Sequence, residues 1–482
     1  MASDLSRRGF LLSAAAGISG LALQRAPYAN AFNLLDQAQP GPQPVTLQAM
    51  TRTIDIDGKA AVVMGLLQPN GKQGIESVVD SPFRVNLQNK LTVPTAIHWH
   101  GLHPPNNEDG VPFVTQLPIQ PNASALYDFP LVPSGTHWMH SHYGLQEASL
   151  LAAPLIVYER NEQSLDEQQV VIMLGDYSFL QPEEVYAKLR SGAGQKPMNA
   201  SAMKTDEPDA NDWNYDAYLA NDRTLNDPDI IKVEKSARVR LRIINGSSGT
   251  NYFVDLGRLE GELIATDGMP IQPISGNRFP IAIAQRVDVR LQIPADGGAF
   301  PILGLRELSR RQTGVILATP GASVPRIPVE ASSATGLMTL DQEKTYVAVH
   351  PLSPRTASAS SVLRLGGNMS NYSWTINGVS IDVNNPLATK PGVFVKYGDR
   401  VVIKFINETP MSHPMHLHGH SFQVIDINGQ PINGALRDTV LVTGKSSVSV
   451  AFDANNPGLW YLHCHVLWHL AVGMATLVQY QA

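Results

Sequence analysis

Short runs of alternating apolar and polar residues recur along most of this chain, and turns rich in Gly, Pro and Asn separate them. Alternation with a period of two places apolar side chains on one face of a strand, and the longer period of an amphipathic helix is hard to find here. Representative runs are Phe83 to Leu91, Val170 to Leu174, Val239 to Ile244, Val287 to Ile293 and Val401 to Ile406. Many short strands with frequent turn signals predict an all-β chain built of sandwiches or barrels.

Chain length and local composition divide this β-rich sequence further. At 482 residues the chain is too long for one core and suits about three domains. Polar residues 159–169 and the Pro-, Ala- and Ser-rich residues 320–339 indicate two boundaries. Residues 181–215 are polar and rich in Gly, Asp and Asn, which predicts a loop or a short helical excursion. The predicted domains are residues 42–160, 166–322 and 340–482.

The N-terminus has the pattern of a targeting segment. Ser6-Arg7-Arg8-Gly9-Phe10-Leu11 is a twin-arginine motif, and an Ala/Gly-rich apolar stretch follows it. Ala29-Asn30-Ala31 then offers a small-x-small cleavage site. We therefore predict a signal peptide over residues 1–31, export of the folded protein by the twin-arginine machinery, and a periplasmic location. An amphipathic anchor fits less well, because the stretch is short and a processing signal follows it.

Charge and hydropathy exclude two classes of partner. The net charge is −6 and 16% of residues are charged, so there is no basic footprint for nucleic acid. Beyond the N-terminus no apolar run has transmembrane length, so we expect no membrane association of the mature chain.

The chain has a single cysteine, Cys464, which cannot form an intramolecular disulfide. His469 follows it by five residues and Met474 by ten. A thiolate, two imidazoles and a weak axial thioether are the ligands of a blue-copper centre. The second imidazole is available upstream, in residues 413–418.

A second metal site is indicated by repeated His-x-His pairs. Residues i and i+2 of a strand share a face, so each pair can present two imidazoles to one point. An isolated pair is about as often a structural feature of a strand, but four pairs beside the Cys-His-Met set favour a multi-histidine site. The pairs are His98/His100, His140/His142, His416/His418 (extended by His420) and His463/His465. The last pair flanks Cys464 on both sides. One residue of backbone therefore joins the two sites, and this arrangement is typical of an electron-transfer oxidase.

These segments resemble the four copper-binding signatures of the multicopper oxidases, a family that includes laccases, bilirubin oxidases, ascorbate oxidases and bacterial copper-resistance oxidases. The resemblance covers about residues 45–480. Its strings are His98-Trp99-His100-Gly101, His137 through His142, His413 through His420 and His463 through Met474. Thr136 through Val157, with Gly144-Leu145-Gln146-Glu147, most resembles the copper-resistance branch, whereas Trp468-His469-Leu470 is more similar to laccases.

The resemblance implies three cupredoxin-like β-sandwich domains in tandem and four copper ions. No His lies between His142 and His350, so the middle domain is expected to hold no ligand, and the multi-histidine cluster to lie where the first and third domains meet. The implied ligands are His413, Cys464, His469 and axial Met474 for the type 1 copper, His98 and His416 for the type 2 copper, and His100, His140, His142, His418, His463 and His465 for the type 3 pair. For His103, His137, His350 and His420 we expect surface positions or supporting hydrogen bonds.

Asp109 and Cys464 are the predicted catalytic residues. Asp109 matches the acidic residue that lies near the type 2 copper in this family, although an Asp-Gly turn is the alternative. Many bacterial relatives carry a Glu just before the last type 1 His, where this chain has Trp468. A second proton donor is therefore missing or supplied from elsewhere.

The predicted function is a laccase-like oxidase. It would couple one-electron oxidation of phenolic or aromatic donors at the type 1 copper to the four-electron reduction of dioxygen to water. Axial Met474 predicts a low-to-medium potential. The alternative is a periplasmic cuprous oxidase for copper tolerance, although the 13 Met are scattered with no Met-x-x-Met run. A copper-free structural homologue would have lost ligands, and none is missing.

Overall fold

β-Strands account for nearly all regular structure in this computed structural model, which describes residues 43–192 and 211–481. Within those ranges the only α-helices are α1, Pro182–Arg190, and α2, Leu467–Ala471. The all-β prediction is therefore confirmed. The predicted signal peptide lies outside the described residues, as do residues 193–210 of the polar stretch, whereas α1 forms its described first part.

The first sandwich has a sheet of order β2-β1-β4-β6 and a sheet of order β3-β8-β7-β5. Its strands are β1 Val45–Ile56, β2 Lys59–Leu67, β3 Ile75–Val78, β4 Pro82–Asn89, β5 Ile97–His100, β6 Ser124–Pro130, β7 Gly135–Ser141 and β8 Ala152–Tyr158. In β4 the predicted alternation buries Phe83, Val85 and Leu87. The ring of Phe83 meets that of Trp99 from the opposite sheet, with centroids 4.9 Å apart, so the core lies between the sheets.

The second sandwich has sheets of order β10-β9-β12-β17-β14-β15 and β11-β19-β18-β13-β16. Its strands are β9 Gln168–Tyr177, β10 Ala217–Ala220, β11 Ile230–Lys232, β12 Arg238–Asn245, β13 Tyr252–Asp255, β14 Gly261–Thr266, β15 Met269–Gly276, β16 Arg278–Ile281, β17 Arg286–Gln292, β18 Ala299–Arg306 and β19 Gln312–Ala318.

The third sandwich has a sheet of order β21-β20-β23-β29-β25-β26, with β27 also paired to β25, and a sheet of order β22-β31-β30-β24-β28. Its strands are β20 Ala359–Asn368, β21 Ser373–Ile376, β22 Val393–Lys396, β23 Arg400–Asn407, β24 His413–Leu417, β25 Phe422–Ile427, β26 Gln430–Pro431, β27 Leu436–Arg437, β28 Thr439–Val442, β29 Ser447–Asp453, β30 Leu459–Cys464 and β31 Ala475–Gln481. The exact domain limits given above stay predictions.

Two antiparallel strand pairs position most of the histidines. In the first sandwich β5 pairs with β7, which places His98 opposite His140. In the third, β24 pairs with β30, which places His416 opposite His463. None of the helices in the described ranges is long and apolar enough to cross a membrane.

Candidate metal centre

The four His-x-His pairs lie at the ends of strands β5, β7, β24 and β30, and their imidazoles come together in one cluster. Two of its three closest contacts join the first sandwich to the third. The Nε2 atoms are 3.4 Å apart for His98 and His416, 3.4 Å for His140 and His465, and 3.1 Å for His418 and His463. His100 and His142 complete the cluster, since groups of three candidate ligands include each of them. Only His142 of the eight is more than slightly exposed.

Copper fits this donor set, because the imidazoles converge and some of their nitrogens have no partner. Burial, followed by repulsion between neighbouring rings, holds the pKa of His100, His140, His418, His463 and His465 well below its usual range. Among the described residues, the buried His100 Nδ1 and His142 Nε2 have no hydrogen-bond partner. Imidazoles whose Nε2 atoms approach one another to 3.1–3.4 Å are donors for a soft or borderline cation.

Asp109 lies against the outer nitrogens of two imidazoles in this cluster and is fully buried. Its Oδ2 is 2.9 Å from His418 Nδ1, and its Oδ1 is 3.2 Å from His98 Nδ1, which also lies 3.0 Å from the Asp109 carbonyl oxygen. A hydrogen bond to Nδ1–H fixes the tautomer and leaves Nε2 free for a metal. Asp109 is thus more than a turn residue in this structure.

Two further buried carboxylates contact the same cluster, and sequence reasoning did not assign either a role. Asp438 Oδ1 is 3.0 Å from His100 Nε2, and Glu147 Oε2 is 2.7 Å from His140 Nδ1. Burial by itself would raise the pKa of Asp438, but Arg286 of the second sandwich pairs with it and holds the pKa well below its usual range. In the sequence, Glu147 stands out only as part of Gly144-Leu145-Gln146-Glu147, which resembles the copper-resistance branch. Asp438 had no sequence signal, because its contact to His100 depends on how the sandwiches pack.

The second group of candidate ligands is His413, Cys464 and His469, all fully buried. Cys464 Sγ lies 3.6 Å from His413 Nδ1 and 3.5 Å from His469 Nδ1, and the two Nδ1 atoms are 3.2 Å apart. Burial raises the pKa of the Cys464 thiol, so a thiolate here needs a cation beside it. Met474 is also buried, and its carbonyl oxygen accepts a 3.0 Å hydrogen bond from Cys464 N–H. Its role as axial ligand stays a prediction.

The second sandwich supplies no ligand to this group but does contact it. His469 Nε2 is 3.0 Å from Asp212 Oδ2, and Tyr372 donates a 2.5 Å hydrogen bond to that oxygen. On the other imidazole, His413 Nε2 lies 2.9 Å from Thr409 Oγ1. Asp212 was not found from the sequence, since it lies within the polar stretch of residues 181–215, 257 positions before His469. Only the approach of the second sandwich to helix α2 brings it here.

The remaining four histidines belong to neither group of candidate ligands. His420 Nε2 is 2.7 Å from Tyr480 Oη, and its Nδ1 is 3.0 Å from the carbonyl oxygen of His418. His103 Nε2 is 3.1 Å from Ser421 Oγ, and the buried His137 lies beside Pro133. His350 is exposed.

Comparison with known proteins gives a consistent result along the whole chain. Family models described as multicopper oxidase match residues 51–162, 168–318 and 354–482. The chain is 31% identical to "Multicopper oxidase MmcO" of Mycobacterium tuberculosis, over 98% of this chain and 96% of that protein. It is 26% identical to "Copper resistance protein A homolog" of Pseudomonas syringae pv. tomato, over 98% and 99%. The crystal structure of the laccase from Botrytis aclada superposes with a TM-score of 0.75 at 25% identity, covering 90% of this chain and 87% of that one.

Proposed function

The chain belongs to the multicopper oxidase family, and we propose that it is a laccase-like oxidase of phenolic or aromatic donors. Four donors each give one electron, and one dioxygen with four protons becomes two waters. The observation that carries this proposal is the position of Cys464. Its thiol faces His413 and His469, while its neighbours His463 and His465 belong to the eight-imidazole cluster.

The proposed ligands are those implied by the family signatures, and four copper ions are the proposed complement. His413, Cys464, His469 and Met474 would hold the type 1 ion, His98 and His416 the type 2 ion, and His100, His140, His142, His418, His463 and His465 the type 3 pair. When bound, copper supplies the one-electron steps and the reduction of dioxygen.

Carboxyl groups of the protein would then orient the imidazoles and supply protons. Asp109, Asp438 and Glu147 each contact an imidazole of the cluster and keep it oriented. Asp109 is the proposed proton donor, because its carboxyl group contacts the outer nitrogens of both His98 and His418. The short backbone connection on both sides of Cys464 joins the site that receives electrons to the site that uses them.

The string Trp468-His469-Leu470, which is more similar to laccases, supports a phenolic or aromatic donor. Cuprous oxidation is the second candidate. It is favoured by the likeness to "Copper resistance protein A homolog", which extends over nearly the full length of both chains.

The test is dioxygen consumption by the copper-loaded protein with a phenol and, separately, with Cu(I). We expect about four copper ions per chain, four donor molecules oxidised per dioxygen, and faster turnover of the phenol. Cys464→Ser is the control and should consume no dioxygen with either donor. One copper or none after full loading would overturn the four-copper assignment, and faster turnover of Cu(I) would favour the second candidate.

Export by the twin-arginine route to the periplasm is also proposed. It rests on Arg7-Arg8 and the Ala29-Asn30-Ala31 cleavage pattern. Replacing Arg7 and Arg8 together by Lys should leave the protein in the cytoplasmic fraction of a host with a periplasm. Equal export of both forms would refute this route.

A further inference from the structure

Glu147 is held in a fixed position behind the imidazole cluster. It lies in the short 3-10 helix Gln146–Ser149, between the end of β7 and the start of β8. The Gln146 side chain donates to the carbonyl oxygen of Pro94 at 2.8 Å and accepts from the hydroxyls of Thr95 and Ser141 at 2.8 and 2.7 Å. These three hydrogen bonds anchor the turn, so the carboxylate of Glu147 has little freedom to move away.

That carboxylate faces two imidazoles from different sandwiches. Its Oε2 is 2.7 Å from His140 Nδ1, and its Oε1 is 3.9 Å from His465 Nδ1. On their far sides, His140 and His465 bring their Nε2 atoms within 3.4 Å of each other. A carboxylate that accepts Nδ1–H keeps the His140 ring in the tautomer whose Nε2 lone pair is free for a metal, and the Ser141 carbonyl oxygen at 3.2 Å shares this role. The 3.9 Å contact to His465 is electrostatic only.

The charge of Glu147 has no cationic side chain to balance it. The residue is 4% exposed, and among the described residues no Lys or Arg forms an ion pair with it. Its buried Oε1 also has no hydrogen-bond partner there. Asp438, in contrast, is paired with Arg286. Among the described residues, the ion-pair contacts of Glu147 are therefore the two imidazoles alone.

We propose that Glu147 is a positioning residue for the type 3 copper pair, which orients His140 and, with His465 3.9 Å away, balances part of the charge of the pair. The inference rests on the proposed function, because it needs copper at this cluster. It also accounts for a buried carboxylate that has no Lys or Arg partner among the described residues, since the compensating charge is that of the metal. The sequence showed Glu147 only within a string that resembles the family.

The test separates metal binding from folding with two variants and a control. Glu147→Gln keeps the size and one acceptor oxygen but removes the charge, and Glu147→Leu removes both. Glu307→Gln is the matched control, because Glu307 is buried in the second sandwich, accepts from Asn251 at 2.9 Å, and also has a pKa raised by burial. Each protein is examined without copper by thermal unfolding, and after copper loading by metal analysis during competition with a chelator. The thiolate-to-copper absorption of the type 1 site is the internal reference.

We expect copper-free Glu147→Gln and Glu147→Leu to unfold at about the temperature of the parent, since His140 Nδ1 retains its contact with the Ser141 carbonyl oxygen at 3.2 Å. After loading, both should keep the type 1 absorption. Their remaining copper should be held about 10-fold to 100-fold more weakly than in the parent, with Leu the more affected. Glu307→Gln should keep all its copper as tightly as the parent.

Three outcomes overturn the inference. One is that both Glu147 variants retain copper like a parent that binds about four ions. Another is that the copper-free variants unfold well below the parent or fail to fold, which would show a structural role. The third is equal copper loss from Glu307→Gln. A parent that binds one copper or none would instead remove the proposed function on which the inference rests.

Discussion

Asp109→Asn separates the chemical role of this carboxyl group from its structural one. Asp109 is fully buried, with Oδ2 2.9 Å from His418 Nδ1 and Oδ1 3.2 Å from His98 Nδ1. Asparagine preserves the shape but has one oxygen, no acidic proton and an NH₂ group. One of the two ring nitrogens will therefore face a donor in place of an acceptor.

The structural cost of this change is smaller than the expected chemical one. Loss of one acceptor contact at a buried group costs about 1–3 kcal/mol, which is a fraction of the roughly 5–15 kcal/mol stability of a typical domain. His98 Nδ1 also has the Asp109 carbonyl oxygen at 3.0 Å, so its orientation has a second support. The variant should fold and keep four coppers. General-acid assistance is worth about 10²–10⁴ in rate, or about 3–5 kcal/mol of barrier, so reduction of dioxygen should slow by that factor.

The assay is stopped-flow reoxidation of the fully reduced protein by dioxygen, which isolates this step from donor oxidation. The slowing should grow as pH rises, because protons from solvent become scarcer. Glu307→Gln is the control, since Glu307 is a buried carboxylate bonded to Asn251 in the second sandwich and its loss should leave this step unchanged. If copper-loaded Asp109→Asn reoxidises at the parent rate over the whole pH range, Asp109 orients imidazoles and does not deliver protons.

Three other changes have defined outcomes. Cys464→Ser should abolish the blue absorption and donor oxidation while leaving far-UV circular dichroism unchanged; retained turnover would show that electrons enter elsewhere. Asp212→Asn removes a carboxylate 3.0 Å from His469 Nε2 and should raise the type 1 reduction potential in a redox titration, whereas an unchanged potential would refute this electrostatic role. Asp288→Asn removes one of the two carboxylates that pair with the buried Arg242, Glu162 being the other, and should cost about 1–3 kcal/mol of unfolding free energy in urea at pH 7. Burial by itself would raise the pKa of Asp288, but Arg240 and Arg242 hold it below its usual value. The contribution of this residue should therefore be present at neutral pH and decline as pH falls through that lowered pKa; a difference between the proteins that does not decline on acidification would contradict this.

The sequence alone indicated the fold class, through local periodicity, and the candidate ligand set, through the His-x-His pairs and their resemblance to the copper-binding signatures of the family. Alternation in runs such as Phe83 to Leu91 specifies a strand with one buried face, and the structure has β4 there. The same period of two places both imidazoles of a His-x-His pair on one side, whatever the rest of the chain does. The ligands could therefore be named before any strand pairing was known.

Only the tertiary structure decided which carboxylates contact those candidate ligands. Asp109 meets His418 across 309 positions, Asp438 meets His100 across 338, and Asp212 reaches His469 from the sandwich that holds no ligand. Such contacts are set by strand register and by the packing of one sandwich against another, and no local pattern encodes either. A buried carboxylate such as Glu147 looks in sequence like any acidic residue of a turn; its burial, without a Lys or Arg partner among the described residues, arises only when the sandwiches pack around it.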